Sequence, residues 1–175
     1  MHLLIANLLL LTVDPAPTGA TVPQFYAAYQ KQHFSGLPNS KQLQALAPYL
    51  SPGLQSLLKK AQAEQAKCIR KNPDDKGPWV EGDLFSSNFE GVTRVVLVSS
   101  DSKTNSDVLR QQVRVSFEYI ENGEKVAWND DLVLTRASAT AAWQIDDVLY
   151  RGGQQFSSGF GSSLRRSLSE PGCPN

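Results

Sequence analysis

The sequence predicts an α+β fold, with three N-terminal helices covering one face of an antiparallel sheet of about four strands. Two observations carry that expectation. Apolar residues recur at helical spacing from about Val22 to Ile69, then at a period of two beyond Gly91. Between the two regimes stands Asn72-Pro73-Asp74-Asp75, where proline forbids helix continuation and the Asx residues favour a turn.

The first helix is read from Val22, Phe25, Tyr26, Tyr29 and His33, with capping-box spacing from Thr21 to Gln24 and a stop at Gly36. Ser40 can cap a second, short helix carrying Leu43, Leu46 and Ala47. Ser51-Pro52 is a cap followed by proline at the first helical position, and Leu54, Leu57, Leu58, Ala61 and Ile69 give the third helix its apolar face. Its opposite face, with Lys59, Lys60, Lys67 and Lys71, reads as solvated surface. Val92 and Val95 to Val98 form the first strand. Val113, Val115, Phe117 and Tyr119 alternate with polar residues in the second, and Asn122-Gly123 makes a hairpin turn. Val126–Arg136 and Ala142–Tyr150 are two more strands joined by a tight connection, and a last helical turn is expected over Ser162–Leu168.

The 175 residues leave room for one domain, assigned here to 21–170, with a flexible C-terminal tail at 171–175. Lys plus Arg equals Asp plus Glu at 17 each, so no global field attracts nucleic acid or anionic lipid. An apolar stretch of about ten residues near the N-terminus has the length of a signal-peptide core and is too short to span a bilayer. Pro15, Pro17 and Thr18-Gly19-Ala20 then suit processing, although the start holds only Met1 and His2 where a basic residue is usual. Residues 1–20 are therefore read as a signal peptide, and the mature protein as periplasmic or secreted in a bacterium, with no membrane attachment after cleavage. In such a compartment Cys68 and Cys173 either pair or remain two free thiols; spacing alone does not decide.

Strand parity gives the sharpest site expectation. Asp130 shares a face with Trp128, Leu132 and Leu134, and Asp147 shares one with Trp143, Ile145 and Leu149. A two-residue turn at Ser138-Ala139 would set Asp130 directly opposite Asp147. Two carboxylates about 5 Å apart repel by roughly 3 kcal/mol at an effective dielectric near 20, so they would share a proton, attract Lys76 or Arg151, or open onto a wet pocket. A shared proton would make Asp130 and Asp147 a general acid/base pair or a ligand anchor; the alternative is a purely structural network. Asp131 and Asp146 have the opposite parity and are expected to face solvent.

The segment from Lys76 to Gly91 is the second feature, with Glu81, Asp83 and Glu90 interleaved with Trp79, Phe85 and Phe89. Its aromatics are expected to plug the open end of the sheet. The binding candidates are accordingly Lys76, Trp79, Glu81, Asp83, Phe85, Trp128, Asp130, Trp143, Asp147 and Tyr150. A calcium site from Asp74, Asp75, Glu81 and Asp83 fits no known loop spacing. A single histidine, His33, follows the leader, Ser86 and Ser87 lie in no nucleophile elbow, and no Gly-rich phosphate loop follows a strand. No metal or cofactor is expected.

The tracts NPDDK (Asn72–Lys76), PWVEGDLFSSNFEG (Pro78–Gly91), WNDDLVL (Trp128–Leu134) and WQIDDVLY (Trp143–Tyr150) resemble a family of exported bacterial proteins known as domain of unknown function 3828. The likeness runs from about Pro23 to Leu168. That family is similar to the nuclear-transport-factor-like, or cystatin-like, cone fold. The resemblance implies helices across a curved sheet that encloses a pocket, and it implies no activity, because this fold hosts many unrelated functions. Three readings follow, in order of preference. The first is a non-enzymatic binding module, monomer or homodimer, holding a small ligand or protein in the cone pocket or at its loop rim. The second is an immunity or inhibitor protein against an exported toxin such as a cell-wall hydrolase. The third is a pocket isomerase, dehydratase or hydrolase using the aspartate pair.

Overall fold

A computed structural model describes residues 20–74, 76–100, 109–152, 162–170 and Cys173, with side chains 97–100 excepted. The expected leader apart from Ala20, Asp75, the Gly/Ser-rich stretch 153–161 and most of the C-terminal tail lie outside these residues.

The helices are α1 (Thr21–Gln30), α2 (Ser40–Leu46), followed by a 3-10 turn (Ala47–Tyr49), α3 (Pro52–Lys71) and α4 (Leu164–Ser169). The strands β1 (Arg94–Ser100), β2 (Arg110–Glu121), β3 (Glu124–Thr135) and β4 (Gln144–Leu149) form one antiparallel sheet in sequential order. The chain is therefore α+β as its periodicity predicts, with a fourth helix where a helical turn was expected.

Local chemistry sets the boundaries. Ser51 caps α3 by accepting from Leu54 N at 3.0 Å, with Pro52 in the first turn. Asn39, rather than Ser40, caps α2 in a reciprocal box with Gln42. The box expected at Thr21 does not form: α1 has no side-chain cap, and the Thr21 hydroxyl donates instead to Trp143 O across the fold. His33 does not continue α1 but lies beyond it at φ 45. Gly36, at φ 71, is required where it stands, because a Cβ there would meet Trp79 O at 2.2 Å. Asn122 and Gly123, at φ 50 and 83, turn the β2–β3 hairpin.

The core lies between the helices and one face of the sheet. Phe25 and Tyr26 of α1, Leu46, Leu54 and Leu58 meet Phe117, Leu132, Leu134 and Ile145, all essentially inaccessible to solvent. Phe25, Tyr26, Tyr29, Phe34, Phe85, Phe117 and Trp128 form a continuous aromatic cluster with ring centroids 4.9–6.3 Å apart. On α3 the buried stripe is Leu54, Leu58, Ala61 and Cys68; Ile69, expected on it, is exposed. The outer edge of β4 is covered at both ends, by Leu50 against Ile145 and by Ser163 against Leu149. Cys68 and Cys173 are joined as a disulfide with Cα atoms 5.3 Å apart, tying the chain's end to α3.

Candidate functional site

The β3–β4 register differs from the expected one. Leu134 pairs with Ile145, Val133 with Asp147 and Leu132 with Val148, with a bulge at Asp146. The connection from Arg136 to Trp143 is longer than a tight turn, and the bulge then reverses parity beyond Ile145. Asp130 and Asp147 are consequently not opposite each other. Asp147 follows Val133 to the face away from Leu132 and Val148, and among the described residues the two carboxylates share no hydrogen-bond partner. Trp143 lies before β4, under Arg136 at 4.5 Å, its buried indole N–H finding no hydrogen-bond acceptor among the described residues. Asp131 and Asp146, expected in solvent, are ion-paired instead. Asp131 is buried beneath Arg114 and Arg151, each at 3.0 Å. Asp146 joins Ser51 at 2.6 Å and Arg165 at 2.7 Å.

Asp130 is nonetheless inward and fully buried, as parity predicts. Four neutral donors satisfy it: Ser87 N at 2.8 Å and Trp128 Nε1 at 3.1 Å on Oδ2, with the Ser87 hydroxyl and Arg151 N on Oδ1. Asp147 accepts from Val148 N and Arg165 N, both at 2.9 Å, beside the start of α4. Burial raises its carboxyl above the ordinary range, opposed by those bonds.

The ordered loop between α3 and β1 brings together the residues that sequence reasoning left separate. Asp83, Leu84, Phe85, Ser86, Ser87 and Asn88 are all buried. Tyr26 donates to Phe85 O at 2.6 Å and Tyr150 to Leu84 O at 2.7 Å. Asp83 Oδ1 accepts from Tyr29 Oη at 2.6 Å and Phe85 N at 2.7 Å, and Oδ2 from Ser86 Oγ at 3.0 Å. The loop is thus pinned between two inward carboxylates, Asp83 holding Ser86 and Asp130 holding Ser87. Desolvation lifts Asp83 to a pKa of about 6, with the Asp130 charge adding to the rise and the three hydrogen bonds opposing it. The Tyr29 phenol is pushed well above its ordinary range by burial and by Asp83.

Beside this network, at the C-terminal end of α1, a cavity of about 440 Å3 is lined by Tyr29, His33, Phe34, Asp83, Phe89 and Glu90 among others. Its walls are tied in place by Gly36 N to Gly82 O at 2.7 Å, Asp83 N to Phe89 O at 3.0 Å, and Gln30 Nε2 to Val92 O at 2.9 Å.

Of the sequence-predicted residues, Asp83, Phe85, Trp128, Asp130 and Tyr150 converge on the loop, and Asp83 alone of them lines the cavity. Lys76 and Glu81 pair with each other at the surface rather than reaching a buried acid, and Trp79 is half-buried at φ 54. Tyr29, His33, Phe34 and Glu90 were missed as cavity residues. The available signal was the pair of glycines, Gly82 and Gly91, flanking an Asp-x-Phe-Ser-Ser turn. No protein-family model, curated protein or solved structure matches the chain.

Proposed function

We propose that this protein is a non-enzymatic binding module that holds a small ligand at the rim of its ordered loop. The observation that carries this reading is the cavity of about 440 Å3 between the end of α1 and residues 82–93, a size suited to a small molecule. Its fixed backbone anchors make it a preformed site, which lowers the ordering cost of binding. The buried acids support binding over catalysis. Asp130 is saturated by four neutral donors, and the register leaves it no partner in Asp147. The Cys68–Cys173 bridge supports export to the periplasm or beyond, in keeping with the apolar leader and with the resemblance to exported proteins.

The test is a thermal-shift screen of a broad metabolite library against wild type and Phe34→Ala. A ligand present at about 100 times its Kd stabilises the fold by roughly 2.7 kcal/mol. A hit should raise the melting temperature of wild type and lose its effect in Phe34→Ala. Silence across the library, or hits indifferent to Phe34, would overturn the assignment to this cavity.

A further inference from the structure

We propose that the cavity takes a small organic cation, a primary ammonium on an apolar or aromatic body, with its charge set against Asp83 Oδ2. This inference rests on the binding reading above and names the ligand class.

Among the described residues no lysine or arginine pairs with Asp83, a buried carboxylate. The other buried acids of the described residues fall in two groups. Glu118 and Asp131 are each held by two cations, Glu118 by Arg94 and Lys125 and Asp131 by Arg114 and Arg151. Asp130 has four neutral donors, and Asp147 has backbone amides beside a helix start. Asp83 has three neutral donors among the described residues, and the groups that act most strongly on its charge are Tyr29, Phe85, Ser86 and Asp130, with no lysine or arginine among them. Two of the three bonds fall on Oδ1. Among the described residues Oδ2 accepts only from Ser86, so it keeps acceptor capacity to spare.

Asp83 itself lines the cavity. Gly91 lines the cavity, and a Cβ built on it would meet Asp83 Oδ2 at 3.3 Å. Any side chain at position 91 would crowd that oxygen from the cavity wall. Gly91 also sits at φ 90, a conformation glycine alone adopts without strain. An ammonium entering there gains a charge-assisted hydrogen bond in a desolvated setting. Glu90 adds negative charge to the cavity wall, and Tyr29, Phe34 and Phe89 line it with aromatic side chains suited to the body of the ligand or to its charge.

A metal ion fits less well. Among the described residues the single group of potential ligands close enough to share an ion is Glu64 with Cys68 and Cys173, and both thiols are consumed in the disulfide. Asp83, Glu90 and His33 do not gather at ligand spacing. The geometry favours a cation that brings its own apolar surface.

The experiment is calorimetric titration of the full chain with benzylamine and with benzyl alcohol, a near-isosteric neutral probe, in wild type, Asp83→Asn and Glu90→Gln. Wild type should bind the amine at least tenfold more tightly than the alcohol. In Asp83→Asn the two affinities should become equal while the melting temperature shows the protein folded, and Glu90→Gln should weaken the amine alone by a few-fold. Equal affinities in wild type, or an amine preference that survives Asp83→Asn, would overturn the cation assignment. A protein that binds neither probe yet is stabilised by other small molecules loses this assignment and keeps the binding reading. One that responds to no small molecule loses both.

Discussion

The carboxyl of Asp83 should leave a signature in the pH dependence of stability. In the fold its pKa is about 6, against an ordinary value of 3.8. The folded protein therefore keeps a proton between pH 4 and 6 that the unfolded chain releases. By linkage, stability is favoured by this group below about pH 4 and is lost as pH rises towards 6. A shift of some two pH units corresponds to about 3 kcal/mol. Asp83→Asn removes the titration and keeps the shape. Its carbonyl can still accept from Tyr29 and Phe85 N. Its amide faces Ser86, whose hydroxyl can turn its own hydrogen to Asn88 O at 3.2 Å. The variant should match wild type within about 1 kcal/mol at pH 4 and gain on it by about 3 kcal/mol at pH 7. For a domain of this size that is a relative gain of roughly 6–12 °C in melting temperature. Chemical denaturation at half-unit steps from pH 4 to 7.5 measures the difference directly, and the titration of Asp147 cancels because both proteins share it. Parallel profiles would show that Asp83 is not desolvated. A variant that loses ground towards pH 7 would show its charge already compensated in the free protein.

Three further perturbations probe the frame around the site. Asp130→Ala removes the acceptor shared by Ser87 N, Trp128 Nε1 and Arg151 N, and should cost upwards of about 3 kcal/mol at roughly 1–3 kcal/mol per buried donor. Asp130→Asn, which keeps one acceptor oxygen, should cost less; equal losses in urea denaturation would argue against the network. Reducing the Cys68–Cys173 bridge frees a loop of 105 residues and should lower stability by up to about 4–5 kcal/mol in the chain-entropy picture, read as a fall in melting temperature with reductant. Ser51→Ala removes both the cap on Leu54 N and the bond to Asp146, and should cost about 1–2 kcal/mol; an unchanged midpoint would leave the cap without energetic weight.

What the sequence disclosed, and what it withheld, follows from the range of each interaction. The Ser51-Pro52 cap, the Asn122-Gly123 turn and the alternation around Trp128 are local, and each appears where the residues predict. The inward placement of Asp130 is likewise a consequence of period two. The pairing of β3 with β4 is not local. It depends on a connection whose length the sequence leaves open and on a bulge at Asp146, which Ser51 and Arg165 hold from α3 and α4. Sequence distance hides those anchors, so an alternation read straight through Trp143 to Leu149 places Asp147 on the wrong face. The Thr21 cap fails for a similar reason, because its hydroxyl finds a distant acceptor in Trp143 O.

The same long-range logic explains why Asp83 matters more than the aspartate pair. On the outer face of the sheet, Arg114 and Arg151 have water on one side and a carboxylate on the other, so each closes an ion pair at little desolvation cost. Inside, a guanidinium would need its own full complement of acceptors among Phe25, Phe85 and Phe117, which offer none. The inner acids therefore take neutral donors, from tyrosine, serine, indole and backbone. Asp130 reaches four donors and is chemically closed. Asp83 reaches three, and its less-occupied oxygen lies against Gly91, a wall residue with no side chain. A fold under selection for stability alone could fill that position with a small apolar side chain in place of the carboxylate and remove the desolvation cost. Retaining an incompletely satisfied charge beside an open cavity is intelligible if something enters the cavity to meet it.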